Sequence, residues 1–296
     1  MSKDDNVKKW VIVIVLALIW GSSFILMKRG LEFYTPSQVA SFRLIFTSLI
    51  LLPVFIKNIN IYFTKNWIWF FAAGWIGNGI PAFLFTNAQK SITSSLAGML
   101  NSLTPLFTLI IGALFFSVRT KKLNVIGVII GLIGAIVLIW ASSKAGISGS
   151  VSGSLLVVFA TFLYGTNANI LKNKLGSFNP IHVTAFAFCS TGLLIAPYFI
   201  LTNDFSALIN LNSVAWKALM YIFILALFGS AFSVIAFNYL LKITSALFAS
   251  SVTYLMPIVS IIWGFADNES LNLFQILSIV IILTGIYLVN KREKTV

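Results

Sequence analysis

The sequence predicts an all-α integral membrane protein in which ten transmembrane helices form two inverted five-helix repeats. Three observations support this prediction: the composition, ten long apolar runs and an internal repeat. Hydrophobic residues make up 59% of the 296 residues and charged residues only 9%, whereas soluble domains hold about 25% charged residues. The mean hydropathy is +0.99, and a soluble fold of this length cannot cover so much apolar surface.

Ten apolar runs have the length, roughly 17–25 residues, that a helix needs to cross a bilayer. They lie near residues 10–28, 38–56, 67–88, 94–116, 123–141, 153–172, 180–201, 217–240, 245–266 and 273–290. The polar links between them are short and leave no room for a soluble domain. We therefore expect a first repeat of five spans at 10–141 and a second at 153–290.

A stripe of small and polar residues repeats along the chain at a helical spacing of three or four residues. In the fourth span its members are Ser94, Gly98, Asn101, Pro105, Thr108 and Gly112. The stripe returns 152 residues later as Ala246, Ser250, Thr253, Pro257, Ser260 and Gly264. Because each half has an odd number of spans, the second half enters the membrane from the opposite side. Inverted repeats place a solute site near the midplane and allow alternating access.

Basic residues are distributed unequally between the two sides of the predicted bundle. With the N-terminus in the cytoplasm, the inside segments carry 14 of the 20 Lys and Arg residues and the outside segments carry 5. Cytoplasmic loops of membrane proteins carry an excess of Lys and Arg. We therefore expect both termini in the cytoplasm. This bias and the short loops are typical of a multi-pass protein of a bacterial inner membrane.

Recognisable motifs occur in both halves of the chain. They are WGSSF at Trp20–Phe24, SFRL at Ser41–Leu44, the run 87–108, and the run 238–258 followed by Glu269. On these motifs the chain resembles the EamA family of the drug/metabolite transporter superfamily, with two copies of its repeat over about residues 12–290. The resemblance implies a ten-helix carrier of small metabolites, often one that moves amino acids outward.

The chain departs from this family pattern at one place. The pattern usually has a glutamate after the fourth and the ninth span. Glu269 matches the second position, but Lys121 stands at the first when Leu123 is aligned with Leu271. We therefore expect the contribution of this glutamate to the loop only in the second half.

Arg43 is the only charged residue well inside a predicted span. A cation in hydrocarbon costs at least ~2.5 kcal/mol on insertion scales, so Arg43 needs a partner or a water-filled cavity. One interpretation is that Arg43 attracts the carboxylate of an amino or organic acid. The other is that it is a structural anchor nearer the interface, bound to helix-end carbonyls.

Further candidate substrate-binding residues are polar or aromatic side chains near the predicted midplane or at span ends. They are Trp20, Ser23, Asn78, Asn87, Asn101, Tyr164, Asn167 and Tyr254. Aromatic rings can shape a pocket for an apolar side chain, and amides and hydroxyls can orient a zwitterion. The alternative for each is packing between helices.

Three prolines are candidates for bending or gating the helices. Pro81 follows Gly77 and Gly79 in the third span, and Pro105 and Pro257 occupy equivalent places in the fourth and ninth. A proline removes one helical hydrogen bond and weakens the helix around it. A role in helix shape alone is the alternative.

Several chemistries are not expected from this sequence. One histidine and one cysteine cannot supply an enzyme with a nucleophile and its base, or with a metal cluster. We therefore expect no enzyme, no metal and no cofactor. No basic patch indicates a nucleic acid, and no phosphate-binding loop indicates ATP. The expected partners are the lipid bilayer and a small-molecule substrate, and no feature specifies an oligomeric state.

No Asp or Glu lies in the middle of a predicted span, although proton-coupled pumps usually carry an intramembrane carboxylate. Protons remain a candidate coupling ion only through Glu32, Glu269 or His182; otherwise the protein is a facilitator. We favour a secondary carrier that exports amino acids or related compounds by alternating access. The alternatives are a multidrug or sugar-nucleotide carrier of the same fold and, from a different class, an intramembrane enzyme.

Overall fold

The computed structural model describes residues 3–144, 150–202 and 213–290, and within these ranges it confirms the predicted fold class. Ten helices are long and apolar enough to cross a membrane. They are α1 (Val7–Leu31), α2 (Pro36–Lys57), α3 (Trp67–Ala88), α4 (Ser94–Phe115), α5 (Lys122–Ser143), α6 (Val151–Lys174), α7 (Pro180–Leu201), α8 (Ser213–Ile243), α9 (Ala246–Ala266) and α10 (Leu273–Asn290). The predicted spans agree with these helices to within a few residues at each end.

The bundle has two ends, because the connected spans alternate in direction. The connections after α1, α3 and α9 lie at one end, which we call the Glu269 end. The connections after α2, α6 and α8 lie at the other, which we call the Lys242 end; a short helix, Ile59–Tyr62, is among them.

The second span of each repeat begins with a side-chain cap followed by a proline. Thr35 precedes α2, and its hydroxyl accepts the Gln38 N–H at 3.3 Å. Asn179 precedes α7, and its amide oxygen accepts the Ile181 N–H at 3.2 Å. Each cap satisfies a free N–H of the first turn, and the proline that follows it needs no partner there. Local sequence therefore sets both helix starts.

The last spans of the two repeats, α5 and α10, pack mainly against each other. A Cβ on Gly285 would lie against the backbone of Gly127 and Gly131. The Asn124 amide also donates to the Val289 carbonyl at 2.7 Å. Small residues allow this close approach in lipid. The centre of the bundle is consequently formed by other spans.

The third span of each repeat contains a π-helical segment at the same repeat position. It covers Trp75–Gly79 in α3 and Leu225–Phe232 in α8. Such segments alter the helical hydrogen-bond pattern and are frequent at functional sites. The Asn78 amide donates to a carbonyl of its own helix at 3.2 Å, and the Trp20 indole N–H donates to the Gly229 carbonyl at 3.0 Å. Side chains thus bind carbonyls at both irregular segments.

The fourth span, α4, is interrupted just before its proline. One helical piece ends at Asn101 and the next begins at Thr104. Pro105 has no N–H to donate to the Asn101 carbonyl. The Thr104 hydroxyl donates to that carbonyl instead, at 2.9 Å. The interruption therefore leaves this carbonyl bonded.

The ninth span, α9, is interrupted at the equivalent place. A 3-10 turn covers Ser251–Tyr254, and the α-helix resumes at Met256. Pro257 is in the first turn of the new piece, as Pro105 is in α4. Pro81 likewise begins a new α-helical piece after the π segment of α3. A gating role for these three prolines stays a prediction.

Glu269, in the connection between α9 and α10, binds the start of α4. Its carboxylate accepts the backbone N–H groups of Ser94 and Ser95 at 3.0 Å each, and their hydroxyls at 2.8 and 2.6 Å. Lys28 of α1 donates to the same carboxylate at 2.7 Å. A negative charge is favourable at a helix start because the free N–H groups and the helix dipole point toward it. Glu269 thereby joins the second repeat to the first.

Further ion pairs surround Glu269. Asp267 pairs with Lys28 at 2.5 Å and with Arg29, and Arg29 also pairs with Glu32. We call Lys28, Arg29, Glu32, Asp267 and Glu269 the ion-pair network. Residue Glu269 is 8% exposed, whereas the Glu32 side chain is 49% exposed. The bonds of Glu269 are therefore shielded from water and those of Glu32 are not.

All ion pairs between described side chains lie at the Glu269 end. At the Lys242 end, Lys172 is the repeat equivalent of Lys28, and it donates to the Leu241 carbonyl at 2.9 Å. Gly264 lies against the Glu269 carboxylate, whereas its equivalent, Gly112, lies against Val118. The Glu269 N–H donates to the Gly264 carbonyl at 2.8 Å, and the Val118 N–H donates to the Gly112 carbonyl at 3.0 Å. The expectation that Lys121 stands at the place of Glu269 is therefore wrong, and Val118 stands there. The contacts at the two ends of the bundle thus differ in chemistry.

The pKa of Glu269 reports its surroundings. Burial acts to raise this pKa, but hydrogen bonds from Lys28, Ser95 and Ser94 outweigh it and lower the pKa from 4.5 to about 2. Because the pKa is lower in the folded state, the stabilisation is fully present above about pH 4.5 and is lost as the pH falls through 2.

We expect Glu269→Gln to lower the free energy of unfolding by roughly 3–5 kcal/mol, because it leaves Lys28 and the buried donors without a charged acceptor. The thermal midpoint in detergent, followed by tryptophan fluorescence, measures this loss. Glu32→Gln is the matched control and should cost less than about 1 kcal/mol, since its pair is exposed. The difference in the free energy of unfolding between wild type and Glu269→Gln should shrink as the pH is lowered from about 4.5 to 2. Equal losses in the two variants would contradict this role of Glu269.

Candidate substrate cavity

A cavity of about 110 Å³ lies in the middle of the bundle between the two repeats. A cavity that holds one water molecule has a volume of about 10–15 Å³, so this cavity has room for a small solute. Residues of α1, α2, α3 and α4 line it from the first repeat, and residues of α6, α8 and α9 from the second. Secondary transporters bind their substrates at such a place, between inverted repeats and beside interrupted helices.

Seven of the nine predicted binding residues line this cavity. They are Trp20, Ser23, Arg43, Asn78, Asn101, Tyr164 and Asn167. These residues are brought together from five different spans, although they are far apart in the sequence.

The other two predicted residues, Asn87 and Tyr254, lie outside the cavity. Asn87 is exposed and donates to a carbonyl of its own helix at 2.8 Å. It follows Phe85, which lines the cavity, by two residues, and such a step places it on the opposite face of a helix. The Tyr254 hydroxyl accepts a hydrogen bond from the Asn290 amide of α10. In the 3-10 turn that contains Tyr254, the neighbouring residue Thr253 lines the cavity instead.

Arg43 of α2 lies in the cavity wall, and its Nε donates to the Ser230 hydroxyl of α8 at 2.8 Å. Its partner is therefore a hydroxyl of the π segment, not the helix-end carbonyls of an interfacial anchor. No carboxylate among the described side chains pairs with Arg43. A guanidinium carries five N–H donors in a planar fork, and those not used by Ser230 can bind both oxygens of a carboxylate.

Two buried amide oxygens in the cavity wall have no hydrogen-bond donor within the described residues. They are Oδ1 of Asn101 and Oδ1 of Asn167, in residues that are 3% and 8% exposed. The Asn101 amide nitrogen contacts the Met256 sulfur at 3.5 Å. An unpaired buried polar atom costs about 1–3 kcal/mol. A ligand that brings N–H donors to these oxygens is therefore favoured.

Gly77, in the π segment of α3, provides the space that Asn167 occupies. A Cβ at position 77 would overlap the Asn167 amide. In the other repeat, a Cβ on Gly229 would come within 2.9 Å of the Ser23 hydroxyl. The π segment of each repeat thus lies directly against the first span of the other, and only glycine permits this at position 77.

Aromatic rings form much of the remaining wall. The ring centroids of Trp20 and Phe237 are 5.2 Å apart. Phe85 lies 5.8 Å from Phe24 and 5.9 Å from Tyr164. Pockets for small molecules typically combine such apolar walls with a few polar groups. The cavity therefore offers one cationic group, two free amide oxygens and an apolar surface.

The sequence interpretation missed the contribution of α8. Gly229 lines the cavity, and Ser230 binds Arg43. These residues stand 152 positions after Gly77 and Asn78, so the offset that revealed the repeat also identifies them. The phenylalanines of the wall had no comparable signal, because they are only a few of the 27 in the chain.

Both repeats match a known protein family. The EamA-like transporter family matches residues 8–140 and again residues 151–291. An uncharacterized transporter from Archaeoglobus fulgidus is 26% identical over 288 residues, which cover 97% of this chain and 100% of that protein. The uncharacterized inner membrane transporter YedA of Escherichia coli K12 is 25% identical over 288 residues, which cover 93% of this chain and 88% of that protein.

A protein of known crystal structure shares the fold. Its comparison with this chain gives a TM-score of 0.68 and a sequence identity of 14%, and the match covers 96% of this chain and 96% of that chain. At this identity the similarity shows the fold alone. The family match, in contrast, covers both repeats and nearly the whole sequence. The chain is therefore a multi-pass membrane protein that belongs to the EamA-like transporter family.

Proposed function

We propose that this protein is a secondary transporter that binds an amino acid or a related small metabolite in the central cavity and moves it by alternating access. The observation that carries the proposal is the cavity wall, where, among the described residues, Arg43 has no acidic partner and two amide oxygens have no donor. The inverted repeats and the interrupted spans support the same mechanism. The transporter names of the relatives support the same protein class.

The wall has a complementary group for each part of an amino acid. The Arg43 guanidinium binds the carboxylate through charge-assisted hydrogen bonds. The ammonium donates to Oδ1 of Asn101 and of Asn167, which satisfies both buried oxygens. The rings of Trp20 and Phe237 contact an apolar side chain. Neutral amides alone would bind a carboxylate more weakly, so we assign the main share of affinity to Arg43.

Other substrates fit this wall less well. A sugar nucleotide carries two phosphates and calls for several basic groups, whereas Arg43 is the one basic residue among those that line the described cavity. An amphiphilic drug suits the aromatic rings but leaves the free amide oxygens unpaired. An intramembrane enzyme needs a nucleophile with a base in reach, and the family relationship favours a carrier.

We further propose that the protein exports its substrate across a bacterial inner membrane. The Lys242 end carries most of the Lys and Arg residues and is therefore assigned to the cytoplasm, together with both termini. The ion-pair network stabilises contacts that close the opposite end. The empty carrier then opens preferentially toward the cytoplasm, where it binds substrate for export.

The charge of the candidate coupling residues supports a facilitator. Hydrogen bonds keep the pKa of Glu269 at about 2, so this carboxylate does not exchange protons near neutral pH. Glu32 is exposed at the surface, and neither Glu32 nor His182 is among the residues that line the cavity. Arg43 stays charged under physiological conditions. We therefore propose that the substrate moves down its own gradient.

Flux in proteoliposomes tests the proposed function. A panel of labelled amino acids should include at least one that equilibrates across the membrane, and an imposed pH gradient should leave its final distribution unchanged. Empty liposomes give the background. Accumulation above the outside concentration only in the gradient would contradict the facilitator. Absence of flux for every amino acid, with a well-folded protein, would contradict the proposed substrate class.

Arg43→Lys keeps the charge but removes the planar fork. Loss of one hydrogen bond between charged groups costs about 1.5–3 kcal/mol, so the half-saturating concentration of the transported amino acid should rise roughly 10- to 100-fold. Ser230→Ala is the control, because it keeps the guanidinium and removes only its anchor; its effect should be smaller. Unchanged affinity and rate in Arg43→Lys would exclude bidentate capture of a carboxylate.

Asn167→Leu removes one acceptor for the ammonium at nearly constant volume. We expect a rise of roughly tenfold in the half-saturating concentration of the amino acid, because a hydrogen bond to a charged group is lost. The same variant should not weaken binding of the matching acid without its amino group. Asn87→Ala is the control, because Asn87 lies outside the cavity. Equal effects on the two ligands would show that Asn167 does not bind the ammonium.

A further inference from the structure

A second, smaller cavity lies in the second repeat at the Lys242 end. Its volume of about 10 Å³ is that of a cavity that holds one water molecule. Leu171 of α6 lines both this cavity and the central one. This residue is 6% exposed and lies between the two spaces. Leu171 thus separates the small cavity, at the Lys242 end, from the central cavity.

Asn238 of α8 presents an oxygen without a partner to this small cavity. The residue is 6% exposed and lines the cavity, and its Oδ1 has no donor among the described residues. Its Nδ2 donates to the Thr184 hydroxyl at 2.9 Å, and that hydroxyl donates to the Pro180 carbonyl at 2.8 Å. Because the hydroxyl hydrogen is already used, Thr184 must accept from the amide NH₂ group. This orients the amide and leaves Oδ1 free.

Two lysines flank the small cavity. Lys242 lines it and donates to the Phe178 carbonyl at 3.5 Å, which is a long and weak hydrogen bond. Lys172 donates to the Leu241 carbonyl at 2.9 Å. The carboxylates of the ion-pair network are at the opposite end of the bundle. The positive charge of the two lysines therefore attracts anions to this place.

We propose that the small cavity is the inner end of a loading site for the amino acid, an inference that rests on the proposed function. The water-sized space takes the ammonium group alone, and the rest of the ligand lies at the mouth beside the exposed Lys242. The carboxylate binds Lys242, with Lys172 nearby, and the ammonium donates to Oδ1 of Asn238. The central cavity repeats this pairing of a basic side chain with a free amide oxygen, at Arg43 and Asn167. The weakly held Lys242 side chain moves to admit the ligand, and displacement of Leu171 then gives access to the centre.

The equivalent place in the first repeat has different chemistry. Lys90 corresponds to Lys242, but Thr86 stands where Asn238 stands. The Thr86 hydroxyl donates to a carbonyl of its own helix at 3.0 Å. Leu31 is the equivalent of Leu175, which lines the small cavity. The first repeat therefore supplies matched controls for a site that belongs to the second.

Cysteine labelling tests the site without a transport assay. Cys189 is the only cysteine in the chain and is buried, so the wild type gives the background. Leu175→Cys places a thiol in the cavity wall and keeps Asn238 and Lys242. Two membrane-impermeant methanethiosulfonates, one with a sulfonate and one with a trimethylammonium group, are compared after correction for their rates with a free thiol. Lys242→Cys is the second reporter, because its exposed position tolerates substitution.

We expect Leu175→Cys to react at least roughly tenfold faster with the anionic reagent, and Lys242→Gln should remove most of this preference. Millimolar L-leucine should slow the reaction several-fold, and L-leucinamide, which lacks the carboxylate, should not. Leu31→Cys should show no protection by leucine.

Three results would overturn the proposal: no reaction at either reporter, no preference for the anionic reagent, or a preference without protection by leucine. Because labelling needs no transport, failure of this site is separable from failure of the central cavity. A chain that transports leucine but shows no protection at Leu175→Cys has a central site and no loading site.

Discussion

Backbone polar groups inside a bilayer must find partners within the protein, and this constraint organises the whole molecule. Four spans, α3, α4, α8 and α9, depart from regular helix, and all four border the central cavity. Side chains such as Thr104, Asn78 and Trp20 bind the carbonyls there. The regular spans α5 and α10 pack against each other instead. The irregular backbone of these four spans thus lies beside the polar cavity, where side chains complete its hydrogen bonds.

Differences between the two repeats make the two ends of the bundle unequal. Two identical inverted repeats would have two equivalent states, one open to each side. In this chain, Glu269 binds the start of α4 at one end, whereas Val118 stands at the equivalent place at the other. Arg43 has Ala187 as its repeat equivalent, so the central cavity holds one cationic group and not two. The two ends of the bundle and the central cavity therefore lack the symmetry that identical repeats would have.

The fold was predictable because its signals are periodic or local. Apolar runs act within a segment and the repeat recurs at a regular offset, and the structure agrees with the spans that the apolar runs indicate. The orientation of single side chains was less predictable. Asn87 and Tyr254 lie outside the cavity because one or two residues along a helix change the face. Ser230 and the free oxygen of Asn167 depend on contacts between distant spans, which no single segment of sequence records.

The most direct test of the account is equilibrium binding of apolar amino acids and of their amides to the purified protein. The central claim is that Arg43 captures a carboxylate in the cavity, so an amino acid should bind at least roughly tenfold more tightly than its amide. The Arg43→Gln variant should lose most of this difference. Equal binding of acid and amide, or an unchanged difference in Arg43→Gln, would contradict the claim.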